Sequence, residues 1–198
     1  MTKENTKREE RPNLPPGQHL TKKFPVLQKG RVAHINQEKF KLEIDGEVEH
    51  PTVFTLKELK ELNDKELVAD IHCVTSWTKV KTKWNGISFK TLFNLVKPKN
   101  TAFFVKFTCA DQSFTTSVPI ERLYSENAII ALDYENSPIN DNHGGPVRAL
   151  IPDLYFYKSA KWVIKISFLH NDEMGYWETH GYSNKADPWK EQRYSSDD

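Results

Sequence analysis

The stretch "VADIHCVTSWTKVKTKWNGISFKTLF" (residues 68–93) joins an apolar run to a segment crowded with Trp, Thr and Lys. Its first part belongs to ELVADIH, residues 66–72, which predicts a buried strand that carries His72 and Cys73 to its end. A cysteine in that position is most often a small, inert apolar residue. The histidine and the lysines nearby favour a thiolate, which binds soft metals or attacks electrophiles. The stretch therefore leaves both interpretations of Cys73 open.

Short helices and strands alternate around this stretch in no regular order. Thr55 and Glu58 have the spacing of a capping box ahead of a Leu-rich helix. Ser88 is the expected N-cap of a second helix, which ends before Pro98, and a helical turn is predicted from Pro119. Further strands are predicted at residues 40–44, 102–110, 113–119, 128–134, 146–152 and 161–169. Because the βαβ rhythm is missing, this pattern predicts an α+β fold with a mixed sheet.

The two ends of the chain differ from the middle. Residues 1–18 form a charged, Pro-containing arm that is predicted to be mobile or wrapped over the protein. Residues 19–198 are predicted to form a single domain. Its last part is irregular but rich in aromatic residues, so we expect it to pack over the domain. The predicted strand before it carries Trp162, Ile164, Ile166 and Phe168 in alternation.

The composition argues against several classes of protein. A formal net charge of +1 gives no overall attraction to nucleic acid or to anionic lipid. The first residues lack the apolar core of a signal peptide, and no run is long enough to span a membrane. We therefore expect a cytoplasmic protein in which Cys73 and Cys109 are thiols. A disulfide between them is the weaker alternative.

A second group of chemistry-bearing residues lies in NHGGPVRALIPDLYFYKSAKW, residues 142–162. Gly144 and Gly145 lack side chains, so the backbone could approach a ligand closely there. The segment also supplies donors that suit a phosphate group. These donors are Arg148, Lys158, Ser159 and Lys161. The alternative is a Gly-Gly-Pro turn that enters a strand, followed by a solvated basic face.

Four segments, taken in this order and at these separations, resemble the bacterial single-domain members of the sulfite oxidase family of molybdopterin enzymes. The segments are DIHCVTSWTKVKTKWNGISF (70–89), HGGPVRALIP (143–152), LYFYKSAKW (154–162) and GYSNKADPWKEQRY (181–194). The likeness extends from Leu14 to the C-terminus. It implies the mixed, barrel-like molybdopterin-binding fold of that family, with short helices and a long irregular C-terminal segment. It also implies an oxidoreductase that holds molybdenum in molybdopterin.

The resemblance implies roles for individual residues as well. The thiolate of Cys73 would ligate molybdenum beside the dithiolene of the pterin, because high-valent molybdenum binds a soft anionic ligand firmly. The residues that would bind the cofactor and its terminal phosphate are Gln28, His72, Thr108, His143, Arg148, Ser159, Ala160 and Lys161. The residues expected at the catalytic site with Cys73, as a substrate funnel, are Thr75, Trp77 and Trp177.

Two departures from the family pattern bear on the substrate. Sulfite oxidases carry a basic run just after the metal cysteine and a tyrosine on a later strand, whereas this chain has CVTSWT and Leu132 there. The related methionine sulfoxide reductase subunits have an acidic residue where Thr75 stands. The resemblance therefore implies oxygen-atom or two-electron transfer on a small molecule without fixing which one. Because the chain has no haem motif, an external electron donor or acceptor is expected, and the oligomeric state stays open.

Two other functions remain open from the sequence. A metal-free module could use the same fold and its basic pocket to bind a phosphorylated ligand. A small zinc protein could use Cys73, Cys109, His72 and His143, although the chain has no HExxH or CxxC spacing. The identity of the bound metal distinguishes the three hypotheses: molybdenum for the oxidoreductase, none for the binding module and zinc for the third.

Overall fold

The computed structural model describes residues 12–110 and 114–198, so the turn predicted at Asp111 and Gln112 and the arm up to residue 11 lie outside the described residues. Within these ranges, short helices accompany eleven strands in two sheets. The helices are α1 (Leu56–Glu61) and α2 (Phe89–Val96). The strands are β1 (His19–Leu20), β2 (Lys41–Gly46), β3 (Thr52–Thr55), β4 (Lys65–His72), β5 (Trp77–Ser88), β6 (Phe104–Cys109), β7 (Thr115–Pro119), β8 (Ile129–Tyr134), β9 (Ser137–Pro138), β10 (Arg148–Leu150) and β11 (Val163–Leu169).

The first sheet is organised around β5, which spans 12 residues. It pairs in parallel with β1 and antiparallel with β4 and β8, and β8 also pairs with β9 and β10. The sequence pattern predicted no strand anywhere in β5, because lysines and threonines interrupt the apolar alternation. The interruption corresponds to a bulge: the register shifts between Ala69 and Ile71, and Lys81, with φ of 53°, donates its N–H to Asp70 Oδ1 at 2.7 Å.

The second sheet has the order β3, β2, β11, β6, β7, with β11 parallel to β2 and antiparallel to β6. A bulge near the start of β11 changes the alternation that the sequence predicted. Val163 is fully buried and Ile164 only partly, whereas Trp162, Ile166 and Phe168 are buried as expected. Ile164 still packs against the larger apolar cluster, but the extra residue at the bulge interrupts the regular alternation between Val163 and Lys165.

Both α-helices begin where the sequence predicts. Thr55 Oγ1 accepts from Glu58 N at 3.3 Å and Glu58 Oε2 accepts from Thr55 N at 2.7 Å, which is a reciprocal capping box. Ser88 Oγ caps α2 by accepting from Thr91 N at 3.2 Å. The side chains that α2 buries in the larger apolar cluster are Phe89, Leu92, Phe93 and Val96. Each contributes about 1.5–3 kcal/mol by leaving water.

The segment after β11, residues 170–198, is irregular apart from short 3-10 turns, and it packs on the sheets. Tyr155 N donates to Ala186 O at 2.7 Å, and Tyr157 Oη donates to Ser183 O at 2.5 Å. None of the helices in the described ranges combines the length and the apolarity needed to cross a bilayer. Mixed sheets with few short helices and a long irregular C-terminal segment confirm the predicted α+β fold class.

Candidate functional site

A cavity of about 310 Å³ is lined mainly by four segments of the chain. The segments lie within residues 24–29, 73–77, 148–162 and 177–182, and Cys109 and Phe114 complete the lining. The structure brings most of the predicted site residues together here. Those that line the cavity are Gln28, Cys73, Thr75, Trp77, Arg148, Ser159, Ala160, Lys161 and Trp177. His72, Thr108 and His143 lie outside the lining.

Cys73 lies in the tight turn between β4 and β5. Its N–H donates to Trp77 O at 2.9 Å, its carbonyl accepts from Ser76 N at 3.0 Å, and Ser76 is left-handed with φ of 73°. The Sγ atom lies 3.1 Å from Thr75 Oγ1. Burial raises the pKa of the Cys73 thiol, although the hydrogen bonds of Thr75 and the charge of Arg193 act in the opposite direction. Burial disfavours the negatively charged thiolate. A metal cation bound to the sulfur would offset this effect by stabilising the thiolate.

Three side chains outside the cavity hold the Cys73 turn. Gln18 Nε2 donates to Cys73 O at 3.0 Å, and Thr78 Oγ1 donates to Gln18 Oε1 at 3.2 Å. Because the Thr78 hydroxyl has used its hydrogen, it accepts from His72 Nδ1 at 2.9 Å, so the proton of His72 sits on that nitrogen. Burial also lowers the pKa of His72, which favours the neutral ring. His72, predicted to contact the cofactor, therefore supports the turn and does not line the cavity.

Two of the residues that hold this turn were missed from the sequence. Gln18 belongs to the arm that was predicted to be mobile or wrapped over the domain, yet it is bonded to Cys73 O. Arg193, from the irregular C-terminal segment, donates from Nη1 to Val74 O at 2.5 Å. The only signal for Arg193 was its place in the segment GYSNKADPWKEQRY, which carries part of the family resemblance.

Arg148 is a fully buried cation at the cavity, 1% exposed. Its Nη1 donates to His143 O and its Nη2 to Ser159 O, both at 2.7 Å, while Nε donates to Ala149 O at 3.3 Å. Burial lowers the pKa of Arg148 to about 9. In the described part of the chain no carboxylate pairs with this guanidinium. A buried charge without a counterion is unfavourable, so an anion in the cavity would stabilise it.

Lys161 adds a second cation to the same lining. Its Nζ donates to Asn142 O at 2.7 Å, and burial, followed by the repulsion of Arg148, lowers its pKa to about 7. No carboxylate of the described residues lies within ion-pair distance of Lys161 either. Ser159 Oγ accepts from Ile151 N at 2.9 Å, which leaves its hydroxyl hydrogen for another acceptor. These three side chains form a cationic corner suited to a phosphate.

Lys158 does not belong to this corner, although the sequence suggested it as a phosphate donor. Its ammonium group is fully buried and lies 2.5 Å from Glu178 Oε1. It also donates to Ser117 O at 2.9 Å and to Asn184 Oδ1 at 3.1 Å, and Thr116 Oγ1 donates to the same carboxylate oxygen at 2.6 Å. With three acceptors already bonded, the three donors of Lys158 are used within the protein.

The two glycines of the HGGP motif also have a structural explanation. A Cβ added at Gly144 would lie 2.7 Å from Lys161 Cβ, and one at Gly145 would lie 1.8 Å from Ile139 O. Gly144 also has φ of 97°. Both positions require glycine because segments of the protein pack closely there. Packing within the protein is therefore sufficient to explain both glycines without a ligand.

His143 contributes to the site through its backbone. Its ring stacks on Phe24, with 3.9 Å between the ring centroids and 6° between the planes, and its carbonyl accepts from Arg148. Burial lowers the pKa of His143 to about 4, and the charges of Arg148 and Lys161 act in the same direction. The neutral ring could offer a phosphate only its single N–H donor. Phe24, which sequence reasoning did not single out, lines the cavity.

Thr108 and Cys109 occupy opposite faces of β6. Because side chains alternate along a strand and Cys109 lines the cavity, Thr108 faces away from it, which disagrees with its predicted contact with the cofactor. No disulfide joins Cys73 to Cys109, and both are buried thiols, as expected. The second thiol of the cavity was assigned no role in the oxidoreductase hypothesis, and only the zinc hypothesis used it.

Two polar atoms of lining residues have no hydrogen-bond partner among the described residues. They are Trp77 Nε1 and Gln28 Oε1, and both are buried. A buried polar group without a partner costs about 1–3 kcal/mol. A polar ligand in the adjoining cavity would supply an acceptor for the indole and a donor for the amide. Trp177 contributes an aromatic wall and packs its ring on Tyr182, 5.2 Å away between centroids.

The donor set distinguishes a molybdenum cofactor from a zinc ion. In residues 12–110 and 114–198, no group of three or more His, Cys, Asp or Glu side chains is placed to hold a metal. A metal at Cys73 would therefore have at most two such protein ligands there, and its other ligands would come with a cofactor. The cationic corner suits the phosphate of such a cofactor. The residues present thus fit a molybdopterin and do not fit the structural zinc site of the third hypothesis.

Comparisons with known proteins agree with this geometry. The family described as the oxidoreductase molybdopterin binding domain matches residues 29–177. Among solved structures, the sulfane dehydrogenase SoxCD from Paracoccus pantotrophus superimposes with a TM-score of 0.66 at 19% identity, covering 78% of this chain and 43% of that chain. At that identity the likeness shows a shared fold. The predicted sulfite-oxidase-type fold is thereby confirmed.

The sequence relatives are similarly consistent. The uncharacterized oxidoreductase YuiH of Bacillus subtilis is 34% identical over 185 residues, which are 93% of each chain. The putative protein-methionine-sulfoxide reductase subunit YedZ1 of Azospira oryzae is 28% identical, with 85% of this chain and 64% of the relative covered. The protein-methionine-sulfoxide reductase catalytic subunit MsrP of Campylobacter jejuni is 24% identical, with 76% of this chain and 56% of the relative covered. The chain therefore belongs to the oxidoreductase molybdopterin binding domain family, among the sulfite-oxidase-type molybdopterin oxidoreductases.

Proposed function

We propose that the protein binds molybdenum in molybdopterin and transfers an oxygen atom, with two electrons, between the metal and a small uncharged substrate. One observation carries this proposal: the buried thiol of Cys73 and two cations without carboxylate partners, Arg148 and Lys161, line the same cavity of the described structure. When bound, the cofactor would supply the two-electron redox change and the site for the transferred oxygen. The protein residues bind it, orient it and limit access to it.

The cationic corner is preorganised for the phosphate of the cofactor. Three carbonyls fix the plane of the Arg148 guanidinium, which still has two of its five N–H donors to offer. The Ser159 hydroxyl, already accepting from Ile151 N, is set to donate. Lys161 adds a positive charge, held by the hydrogen bond of its Nζ to Asn142 O. Because these donors are held before the ligand arrives, little ordering remains to be done on binding.

The surroundings of Cys73 favour an uncharged substrate over sulfite. Val74, Thr75 and Trp77 are the lining residues nearest to the thiol in sequence, and none carries a charge. Leu132, at the position where sulfite oxidases carry a tyrosine, is buried in the larger apolar cluster and is not part of the lining. A thioether S-oxide suits such walls, and the names of YedZ1 and MsrP point to the same chemistry. The reaction would consume one sulfoxide, two electrons and two protons, and release a thioether and water.

Elemental analysis tests the metal assignment directly. The protein is expressed in a host that makes molybdopterin, with molybdate supplied, and its metal content is measured by mass spectrometry. We expect near-stoichiometric molybdenum in the wild type and in Cys109→Ser, and none in a folded Cys73→Ser variant. The Cys109 variant is the matched control, since it removes the other thiol of the same cavity. Molybdenum retained without Cys73 would contradict the proposal.

The substrate assignment needs a separate assay. With a reduced viologen dye as donor, the molybdenum-loaded enzyme should reduce dimethyl sulfoxide or methionine sulfoxide with a higher kcat/KM than it oxidises sulfite with ferricyanide as acceptor. The reverse order would show that the uncharged walls near Cys73 do not select the substrate. In the cell an external redox protein would take the place of the dye.

A metal-free phosphate-binding module is the second candidate, and the cationic corner by itself favours it. Arg148, Lys161 and Ser159 would hold a phosphorylated ligand without any metal. A well-folded protein that contains no molybdenum after the expression described above, yet is stabilised by inorganic phosphate, would support this candidate and exclude the first.

A further inference from the structure

Arg193 links three parts of the molecule that are far apart in sequence. Its Nη1 donates to Val74 O at 2.5 Å, its Nη2 donates to Pro16 O at 3.3 Å, and its guanidinium lies 5.1 Å from the ring centre of Tyr155. The Arg193 side chain is only 12% exposed. A planar guanidinium that donates to two separate carbonyls fixes their relative position.

The arm is shaped to meet this guanidinium. Gly17 is left-handed with φ of 66°, and a Cβ there would lie 2.9 Å from Arg193 Nη2 and 2.5 Å from Glu191 Oε1. Glycine therefore avoids both the strain of this left-handed backbone and a shift of the Arg193 side chain that bonds the neighbouring carbonyl of Pro16. The next residue, Gln18, donates to Cys73 O at 3.0 Å. The arm and the C-terminal segment thus act on adjacent peptides of the same turn.

We infer that Arg193 is a positioning residue for the Cys73 sulfur, with Gln18 as its partner in the arm. Between them they hold the carbonyls of Cys73 and Val74, so the backbone that carries the sulfur cannot rotate without breaking at least one hydrogen bond. This inference rests on the proposed function, because the fixed direction matters most when the sulfur is a metal ligand. Arg193 itself is not part of the cavity lining and would act only through the turn.

The first test uses the metal-free protein and needs no cofactor. Hydrogen exchange is compared between the wild type, Arg193→Gln and Lys190→Gln. Lys190→Gln is the matched control: it removes a cation from the same segment, and the ion pair of the exposed Lys190 with Asp187, at 3.9 Å, is weak. In Arg193→Gln the amides of Cys73 and Ser76 should exchange faster, while those of β4 and β5 stay protected. Unchanged exchange at the turn would overturn the inference.

The second test uses the molybdenum-loaded enzyme, with the sulfur-to-molybdenum charge-transfer absorption as the readout. Arg193→Gln should shift this band and lower kcat with little change in KM, Arg193→Lys should restore part of both, and Lys190→Gln should match the wild type. A normal band and kcat in Arg193→Gln, with only a lower unfolding temperature, would show that Arg193 serves stability alone. Wild type without molybdenum would instead refute the proposed function, and the exchange experiment would still decide whether Arg193 orders the turn.

Discussion

Arg148 and Lys158 are two fully buried cations ten positions apart in the chain, but their surroundings differ. Lys158 lies against the carboxylate of Glu178 and bonds two further oxygens. Arg148 bonds only backbone carbonyls in the described structure, and Lys161 beside it has no carboxylate either. The charge of Lys158 is thus neutralised within the protein. The region of Arg148 and Lys161 has excess positive charge that an external anion would neutralise.

The difference shows how a binding cation can be recognised. Both residues are basic, buried and close to the cavity, so neither residue type nor exposure separates them. The two residues differ in their counterions. Glu178 pairs with Lys158, whereas no carboxylate of the described residues pairs with Arg148. Burying a charge is unfavourable unless it is paired, so a buried unpaired cation at a cavity indicates a missing ligand. Four measurements test this contrast.

The largest effect is expected at the complete pair. Glu178→Gln leaves Lys158 buried without a counterion, which should lower the free energy of unfolding by about 3–5 kcal/mol. Urea unfolding of the metal-free protein measures the loss. Glu43→Gln is the control, because Glu43 pairs with Lys165 at 3.0 Å on the surface and should contribute about 0–1 kcal/mol. Equal losses in the two variants would contradict the distinction between buried and exposed pairs.

A smaller effect is expected on anion binding by the incomplete corner. Sulfate should bind the metal-free protein in the cavity, and Arg148→Met should weaken it about 10–100-fold, since a charged hydrogen bond contributes about 1.5–3 kcal/mol. Calorimetric titration measures the affinity, and Arg31→Met, at an exposed position, is the control. Because Arg148→Met also frees three carbonyls, Lys161→Met serves as a second variant. Wild-type affinity in both would refute the cationic corner.

The smallest effect is a pH dependence of the same binding. Burial and the charge of Arg148 lower the pKa of Lys161 to about 7, so its charge is present below that pH and lost above it. Sulfate keeps its charge over this range, so its affinity should fall several-fold between about pH 6 and 8. Lys161→Gln should bind more weakly below pH 7 and show a flatter profile. A wild-type profile as flat as that of the variant would contradict the assignment.

The lowered pKa of Lys161 also predicts how the stability of the anion-free protein depends on pH, and here the trend is opposite: stability rises with pH. From pH 7 to 10.5 the unfolded chain keeps the proton of Lys161 while the folded protein releases it. Stability therefore rises with pH across this window, because the unfolded state binds more protons. Urea unfolding at several pH values, in buffers free of multivalent anions, would measure this, and the Lys161→Gln variant should lack this contribution.

Local features of the fold could be predicted from the sequence because local interactions create them. The capping box of Thr55 and Glu58 and the cap at Ser88 involve residues three positions apart, so their spacing is visible in the chain. The whole of β5 was missed because lysines and threonines interrupt its alternation and its bulge depends on Asp70 bonding the left-handed Lys81 across the hairpin. Spacing rules for regular strands do not describe such a contact.

The site was only partly predictable, for a similar reason. The segments that supply Cys73, Arg148 and Lys161 carry recognisable motifs, and these residues do line one cavity. The sequence could not tell that Lys158 is neutralised, since its carboxylate lies 20 positions away in an irregular segment. The residues that hold the Cys73 turn could not be predicted either. Gln18 and Arg193 donate to backbone carbonyls 55 and 119 positions away, and every residue type has such a carbonyl.

The contact between Arg193 and Pro16 has a consequence for how the protein folds. It closes a loop of 177 residues, and the entropy of closing a loop that long in a disordered chain opposes contact by about 5 kcal/mol. Once the intervening sheets have formed, the entropy cost of bringing the two hydrogen-bonding groups together is small. We therefore expect this contact to form late in folding. We likewise expect the Cys73 turn to acquire its final shape after the sheets have formed. A metal cofactor would be inserted into a protein whose scaffold is already built.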